Sequence, residues 1–198
     1  MLFSLGGALK RSAELPTAQD ALPDRQDAAL FNPEHFVSGR RIAEPLPEHL
    51  SRAVFGLGCF WGAERLFWQL DGVVSTSVGY AGGFTPNPTY EEVCTGATGH
   101  AEVCQLIFDP NKVNYKTLLQ AFWESHDPTT LNKQGGDVGT QYRSVIFYHS
   151  AEQKTIAEFY KNELQKSGAF ENEIVTTIVP AEVFYEAEKY HQNYLGLS

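Results

Sequence analysis

An α+β sandwich built on a mixed sheet, preceded by an irregular N-terminal arm, is the fold class this sequence predicts. Three observations lead there. From Arg52 onward, apolar patterns of strand period and of helix period alternate as strand–helix–strand, strand–helix–strand, with further elements appended. Hydrophobic residues make up 42% of the 198 and charged residues 20%, which allows one sizeable core and argues against disorder. Half of the 10 prolines (Pro16, Pro23, Pro33, Pro45, Pro47) fall before residue 50, where no long apolar period occurs.

Residues 1–51 therefore read as an arm, which would wrap the body through Leu30, Phe31 and Phe36 or stay free of it. Residues 52–198 read as one domain. Its first strand is 53–58, short and apolar. A helix over 61–70 follows, with Ala63, Leu66, Phe67 and Leu70 at i, i+3, i+4 and i+7. Gly72 ends it, and 73–80 alternates as a second strand. The stretch 81–88 is a loop by its Gly, Pro, Asn and Thr content. A third strand spans 102–108, and a helix over 115–126 carries Leu118, Leu119, Phe122 and Trp123 on one side. Asp127-Pro128 closes it, and a polar loop runs to Gly139. A strand over 143–148, a charged amphipathic helix over 151–166 ended by Gly168, a last strand over 174–179 and a helix over 182–195 complete the reading. No internal repeat is visible.

The formal net charge is -9 and the pI about 5.1, an acidic balance that argues against a nucleic-acid partner. No run of about 18 apolar residues occurs, so no membrane span is expected. The apolar start, Met1 to Leu9, precedes its basic residues Lys10 and Arg11, the reverse of a secretory signal, so a cytoplasmic location is expected. Three cysteines, Cys59, Cys94 and Cys104, form no CxxC; a sparse, odd set fits a reducing compartment with a thiol free for chemistry. No cofactor and a monomeric state are expected.

The most informative segment is Gly58-Cys59-Phe60-Trp61-Gly62. A strand leads in, a helix leads out, and glycines on both sides allow a tight turn. A thiol there meets free helix N–H groups and the positive dipole end, which is expected to stabilise thiolate and lower its pKa. Phe60 and Trp61 would wall it with aromatic surface. Residue type alone supports a small core cysteine equally well. In Gly99-His100-Ala101-Glu102-Val103-Cys104, Glu102 opens an apolar strand. A desolvated carboxyl has a raised pKa and stays protonated as a donor or general acid, although a lone Glu at a strand end is more often solvated. His100 reads as a capping or structural histidine. Residues 135–144 form a loop with Asp137, Gln141 and Tyr142, and Tyr90 supplies a second phenol.

Together these segments closely resemble the A-type peptide methionine sulfoxide reductases. The Gly-Cys-Phe-Trp-Gly turn resembles that family's catalytic signature. Gly79-Tyr80-Ala81-Gly82-Gly83, Pro88-Thr89-Tyr90, Gly99-His100-Ala101-Glu102, His126-Asp127-Pro128 and Gly139-Thr140-Gln141-Tyr142-Arg143-Ser144 follow in the family's order. Phe184-Tyr185-Glu186-Ala187-Glu188 and His191-Gln192-Asn193-Tyr194-Leu195 complete a match over about 52–195. The resemblance implies a ferredoxin-like core and reduction of the S epimer of methionine sulfoxide, free or in proteins, with thioredoxin or another external thiol as reductant. It implies Cys59 as nucleophile, Glu102 as acid aided by Tyr90 and Tyr142, Phe60 and Trp61 around the substrate methyl, and Asp137 and Tyr194 lining the site. The residues agree with this chemistry: sulfoxide sulfur is a poor electrophile until its oxygen carries a proton, so thiolate and acid are both needed.

One departure stands out. Many family members carry further cysteines in a glycine-rich C-terminal tail, whereas no cysteine follows Cys104 here. Either an outside thiol reduces Cys59 directly, or Cys94 or Cys104 resolves, or a tail is missing. Two rival readings are a cysteine hydrolase with His100 or His191 as base, and a metal module of Cys94, His100, Cys104 and His126. The first lacks a convincing His–Asp pairing and the second a known zinc spacing.

Overall fold

The computed structural model describes residues 13–23 and 45–196. In chain order the elements are β1 (Ser51–Leu57), α1 (Phe60–Trp68), β2 (Val73–Ala81), α2 (Tyr90–Cys94), β3 (Ala101–Phe108) and α3 (Tyr115–Ser125). There follow β4 (Lys133–Gln134), β5 (Asp137–Val138), β6 (Ser144–Tyr148), α4 (Ala151–Ser167), β7 (Thr177–Pro180) and β8 (Tyr185–Glu186). The main sheet runs β7-β6-β1-β3-β2-β8, and β4 pairs with β5 as a separate hairpin.

Strand β1 lies antiparallel between β3 and β6, while β3 is antiparallel to β2. Hence β1 and β2 are parallel strands flanking β3, and β3 and β6 are parallel strands flanking β1. The units β1–α1–β2 and β3–α3–β6 are two interleaved split βαβ motifs, which gives the ferredoxin-like order β6-β1-β3-β2. Helix α4 then crosses from β6 to β7, the one parallel neighbour pair in the main sheet. The sheet is therefore mixed and the fold α+β, as the alternating periods predicted.

Helices α1, α3 and α4 cover one face. Ala53, Phe55, Leu57, Cys104, Leu106, Phe108 and Ile146 of the sheet meet Phe67, Leu118, Phe122 and Ala157 of the helices in the main core. Phe55 sits at its centre, with ring centroids of Phe67 at 5.4 Å, Phe122 at 5.3 Å and Tyr115 at 6.0 Å. The opposite face is thinner: Val54, Val103, Val145 and Phe147 lie under Val179, Ala181 and Phe184. The helix starts are capped as their sequences require. Asn114 Oδ1 accepts the Thr117 N–H at 2.9 Å, and Ser150 Oγ accepts that of Gln153 at 3.1 Å. Gly168, at φ 72°, terminates α4 in the left-handed conformation.

Three features differ from the sequence reading. Helix α2 falls in a stretch to which no element was assigned, and the β4–β5 hairpin was read as loop, because five and two residues are too short to show a period. The strand expected over 174–179 lies at Thr177–Pro180 and is not the last. The helix expected over 182–195 does not form. In its place are the edge strand β8 and two 3-10 turns, Lys189–His191 and Tyr194–Gly196. The reason is tertiary. Gln192 Oε1 accepts the Val78 N–H at 2.9 Å, and its Nε2 donates to the carbonyls of Val78 at 2.8 Å and Ala187 at 2.9 Å. The amide side chain completes the edge of β2 as a strand would, and this pairing overrides helical spacing.

The described part of the arm lies on the loops beside the sheet. Leu22 donates its N–H to Ala97 O at 3.0 Å, Thr85 Oγ1 donates to Leu22 O at 2.8 Å, and Asn132 Nδ2 donates to Ala13 O at 3.0 Å. Leu30, Phe31 and Phe36, through which the arm was expected to wrap the body, lie outside the described residues.

Gly79 of β2 leaves room for the chain that covers it: a Cβ there would run into the Tyr185 carbonyl and the Phe184 ring. Gly79→Ala should therefore cost about 1–3 kcal/mol, the usual range for overpacking a filled site. Chemical denaturation against wild type measures it, and an unchanged midpoint would mean that β8 is not seated on β2 as described.

Candidate active site

Cys59 occupies the turn between β1 and α1. Gly58 before it takes φ 100°, a conformation costly for any other residue, and a side chain there would strike Gln134 of the hairpin. Cys59 is the N-cap of α1, with φ -55° and ψ 123°, and is half-buried. The N–H groups of Trp61 and Gly62 interact with its sulfur and favour the thiolate. They do not prevail. Burial, followed by the neighbouring charge of Glu102, pushes the thiol up to about 11 from its ordinary value of 9.0. The expectation of a low resting pKa is thus corrected: desolvation and an acidic neighbour outweigh the helix end.

Glu102 is 2% exposed and stands on the helix-covered face of β3, two residues before Cys104. Its Oε2 accepts the Phe60 N–H at 3.1 Å, so the carboxyl sits directly against the first turn of α1. Burial raises its pKa to about 8; the Phe60 N–H lowers it and Asp137 adds to the rise. A carboxyl with its pKa raised in this way favours the protonated form at neutral pH. Once ionised, Glu102 further disfavours the Cys59 thiolate.

The two phenols lie within electrostatic reach of the same carboxyl. Burial raises the pKa of both, Tyr142 to about 12, with Glu102 next for Tyr142 and Cys94, then Glu102, for Tyr90. Both stay protonated hydroxyl donors at neutral pH. Tyr142 also feels Cys94, Asp137 and Cys59, and Tyr90 hydrogen-bonds Cys94. Tyr142 ends a 3-10 turn, Thr140–Tyr142, and Tyr90 opens α2 behind the Thr89–Glu92 capping box. Asp137, in the exposed hairpin, lies within electrostatic reach of Cys59, Glu102 and Tyr142.

Aromatic rings form the other wall. Trp61 and Tyr194 stack at 4.1 Å with 18° between planes, and Phe60 lies 6.4 Å from Trp61. Tyr194 remains 42% exposed, so this wall is open to solvent at its outer edge. Trp61 Nε1–H donates to His191 Nδ1 at 3.1 Å. That fixes the histidine proton on Nε2, 3.9 Å from Glu188 Oε2. His191 is almost fully buried and packs on Phe60 at 5.2 Å and Tyr90 at 4.4 Å. The structure therefore brings all eight residues singled out from the sequence to one region.

It also adds residues whose parts the sequence reading missed. Glu188 accepts the Tyr80 hydroxyl at 2.9 Å and the Tyr90 N–H at 2.8 Å, which fastens α2 to the C-terminal segment. Glu64 lies on the buried stripe of α1, Phe60, Ala63, Glu64 and Phe67, where a charged residue among i, i+3, i+4 and i+7 positions was a readable signal. The roles of Glu188 and His191 had no local signal, because both depend on contacts about 100 residues away in sequence.

The rival readings find no site. His100 is buried and structural: its Nδ1 accepts the Gly83 N–H at 3.0 Å, and Nε2 lies 2.7 Å from Thr85 O. His191 Nδ1, the nitrogen that would have to act as base, is taken up by the Trp61 indole N–H. Cys104 is in the core, and His126 bonds Phe122 O and Ser144 Oγ, each at 2.7 Å. Among the described residues no group of three or more His, Cys, Asp or Glu is placed to hold a metal.

The family model for peptide methionine sulfoxide reductase matches residues 51–197. The chain is 55% identical over 186 residues to the peptide methionine sulfoxide reductase MsrA of Vibrio parahaemolyticus, covering 92% of this chain and 87% of that one. It is 52% identical over 197 residues to the MsrA of Rippkaea orientalis, covering 98% and 89%. Among solved structures, methionine sulfoxide reductase A of Corynebacterium diphtheriae superposes with a TM-score of 0.83 at 41% identity, over 93% of this chain and 91% of that one. Reduced Mxr1 from Saccharomyces cerevisiae gives 0.72 at 39% identity, over 77% and 87%. With a family match across most of the chain and relatives above half identity, the chain belongs to the A-type peptide methionine sulfoxide reductases, which are oxidoreductases.

Proposed function

We propose that the chain reduces the S epimer of methionine sulfoxide, free and in oxidised proteins, by attack of the Cys59 sulfur on the sulfoxide sulfur with Glu102 as acid. The observation that carries this is the buried carboxyl, held protonated at neutral pH, beside a thiol at a helix start.

Substrate enters with its methyl among Phe60, Trp61 and Tyr194 and its oxygen toward Glu102, Tyr90 and Tyr142; Asp137 borders the polar side. The Glu102 proton moves onto the sulfoxide oxygen, which makes the sulfur electrophilic. Having given up its proton, Glu102 takes that of the Cys59 thiol, and the Trp61 and Gly62 N–H groups stabilise the charge that develops on sulfur. The thiolate adds to sulfur, and the S–O bond breaks with oxygen passing to Cys59. The net exchange is thiol plus sulfoxide to sulfenic acid plus thioether, with the thiol proton restoring Glu102.

An external thiol then reduces the Cys59 sulfenic acid. Cys104 is poorly suited to resolve it, being fully buried in the core with its thiol raised well above the usual range. Cys94, half-buried at the end of α2, is the remaining internal partner. A solved structure of yeast Mxr1 in complex with Trx2 supports a thioredoxin as the reductant. The setting is repair of oxidised proteins by a monomer in the cytoplasm, with residues 52–198 as the catalytic domain and 1–51 as an arm. Three free cysteines favour such a reducing compartment, and no described helix is long and apolar enough to cross a membrane.

Cys59→Ser should abolish turnover of methionine S-sulfoxide with its thermal unfolding unchanged; retained turnover would remove Cys59 from the centre of the scheme. In the resting enzyme, Cys59 alkylation should still be accelerating between pH 9 and 10, as its pKa of about 11 requires. Glu102→Gln should shift that titration downward, since it removes the opposing charge.

Turnover should fall as pH rises through about 8, where Glu102 loses the proton it must deliver. Glu102→Gln should lower the rate by about 10²-fold or more and erase this alkaline limb. A variant as fast as wild type, with the limb intact, would move the acid role to Tyr90 or Tyr142.

One equivalent of sulfoxide without reductant should cost the protein one thiol and add one oxygen to its mass. Loss of two thiols in the monomer with no added oxygen would instead reveal an internal disulfide, and Cys94→Ser would identify its partner.

A further inference from the structure

The C-terminal segment that supplies Tyr194 has no helix or long strand to hold it, yet its ring lies flat on Trp61. What holds it leads to a carboxyl outside the reacting groups. Glu64 of α1 is 0% exposed. Its Oε2 accepts the Asn193 backbone N–H at 2.7 Å, and its Oε1 accepts Asn193 Nδ2 at 2.8 Å and Thr76 Oγ1 at 3.0 Å. Asn193 itself takes φ 52°, the left-handed conformation that Asn tolerates better than most residues. Its carbonyl accepts the Gly196 N–H at 2.8 Å, starting the turn that carries Tyr194.

We propose that Glu64 and Asn193 are a positioning pair that seats Tyr194 over Trp61 and so sets the affinity of the methyl pocket. A buried carboxyl is costly, and apolar residues of similar volume often replace one without loss of stability. Here burial is severe enough to push Glu64 up to about 7. The position instead holds a group whose two oxygens take both donors of one residue, Asn193, and thereby fix the direction of the chain at Tyr194. Trp61 and Glu64 lie three residues apart on α1, so the same helix presents one ring of the stack and the anchor for the other. Glu64 touches no reacting group; it acts through Tyr194.

This rests on the reading of Trp61 and Tyr194 as the methyl pocket, and the test separates the two ideas. Steady-state kinetics on methionine S-sulfoxide with a small dithiol would compare wild type with Glu64→Gln, Asn193→Gly, Tyr194→Ala, Glu64→Gln combined with Tyr194→Ala, and the exchanged pair E64Q/N193D. Asn193→Gly accepts the left-handed backbone, keeps the backbone N–H to Glu64 and removes the side-chain donor. Glu64→Gln and Asn193→Gly should each raise KM about tenfold, the effect of losing one charge-assisted hydrogen bond, with kcat changed by less than about twofold. The exchanged pair should restore KM to within about threefold of wild type, because its amide and carboxylate can pair in the opposite sense. Adding Tyr194→Ala to Glu64→Gln should raise KM no further, as expected for two changes that act through one contact. Additive KM effects, no rescue by the exchange, or a fall in kcat at constant KM would each overturn the positioning role. Should Glu64→Gln fail to fold by circular dichroism, Asn193→Gly carries the same comparison. An unchanged KM in Tyr194→Ala alone would overturn the pocket reading instead, whatever Glu64 does.

Discussion

The hydrogen bond from the Phe60 N–H to Glu102 joins the first turn of α1 to the start of β3. That single contact sets an acid and a thiol side by side, because Phe60 follows Cys59 directly and its amide must point at the carboxyl. The sheet register makes the contact possible. Phe55 of β1 pairs with Cys104 of β3, so two residues further, in opposite directions along the strands, the chain reaches the end of β1 and Glu102. Between them, Gly56 leaves β1 close to the Glu102 backbone, and Gly58 turns the chain into the helix. Moving the register by one residue would send Glu102 to the other face of the sheet.

Putting these groups in a dry, crowded place has electrostatic consequences that shape the site. Burial favours the protonated form of both the Glu102 carboxyl and the Cys59 thiol. Helix-end N–H groups favour the anion, but at rest desolvation is the larger effect. The phenols of Tyr90 and Tyr142 stay protonated for the same reason, with burial the largest cause in each.

The aromatic side of the site depends on the chain's last described residues. Gln192 joins the edge of β2 by imitating a strand, Glu188 ties down Tyr80 and α2, and His191 receives the Trp61 indole. These are mostly bonds from side chains to backbone or to other side chains across about 100 residues. A short segment held in this way has little intrinsic conformation of its own, and it takes its shape from the sheet edge and from α1.

Much of this molecule was legible in its amino acids alone. Strand and helix periods fixed the core elements and the mixed sheet, because burial on one face forces period two or 3.6 on the apolar residues. The Gly-Cys-Phe-Trp-Gly turn placed Cys59 between a strand and a helix, a local effect of neighbours in sequence. Tertiary structure decided the rest. Whether Cys59 would rest as thiol or thiolate depended on how deeply it was buried and on a carboxyl 43 residues away, given that the Phe60–Glu102 bond spans 42. The segment over 182–195 carries helical spacing, yet its side chains found better partners on Val78 and Glu64. Local propensity is worth tenths of a kcal/mol per residue, and buried hydrogen bonds are worth more, so distant partners overrule it where they are available.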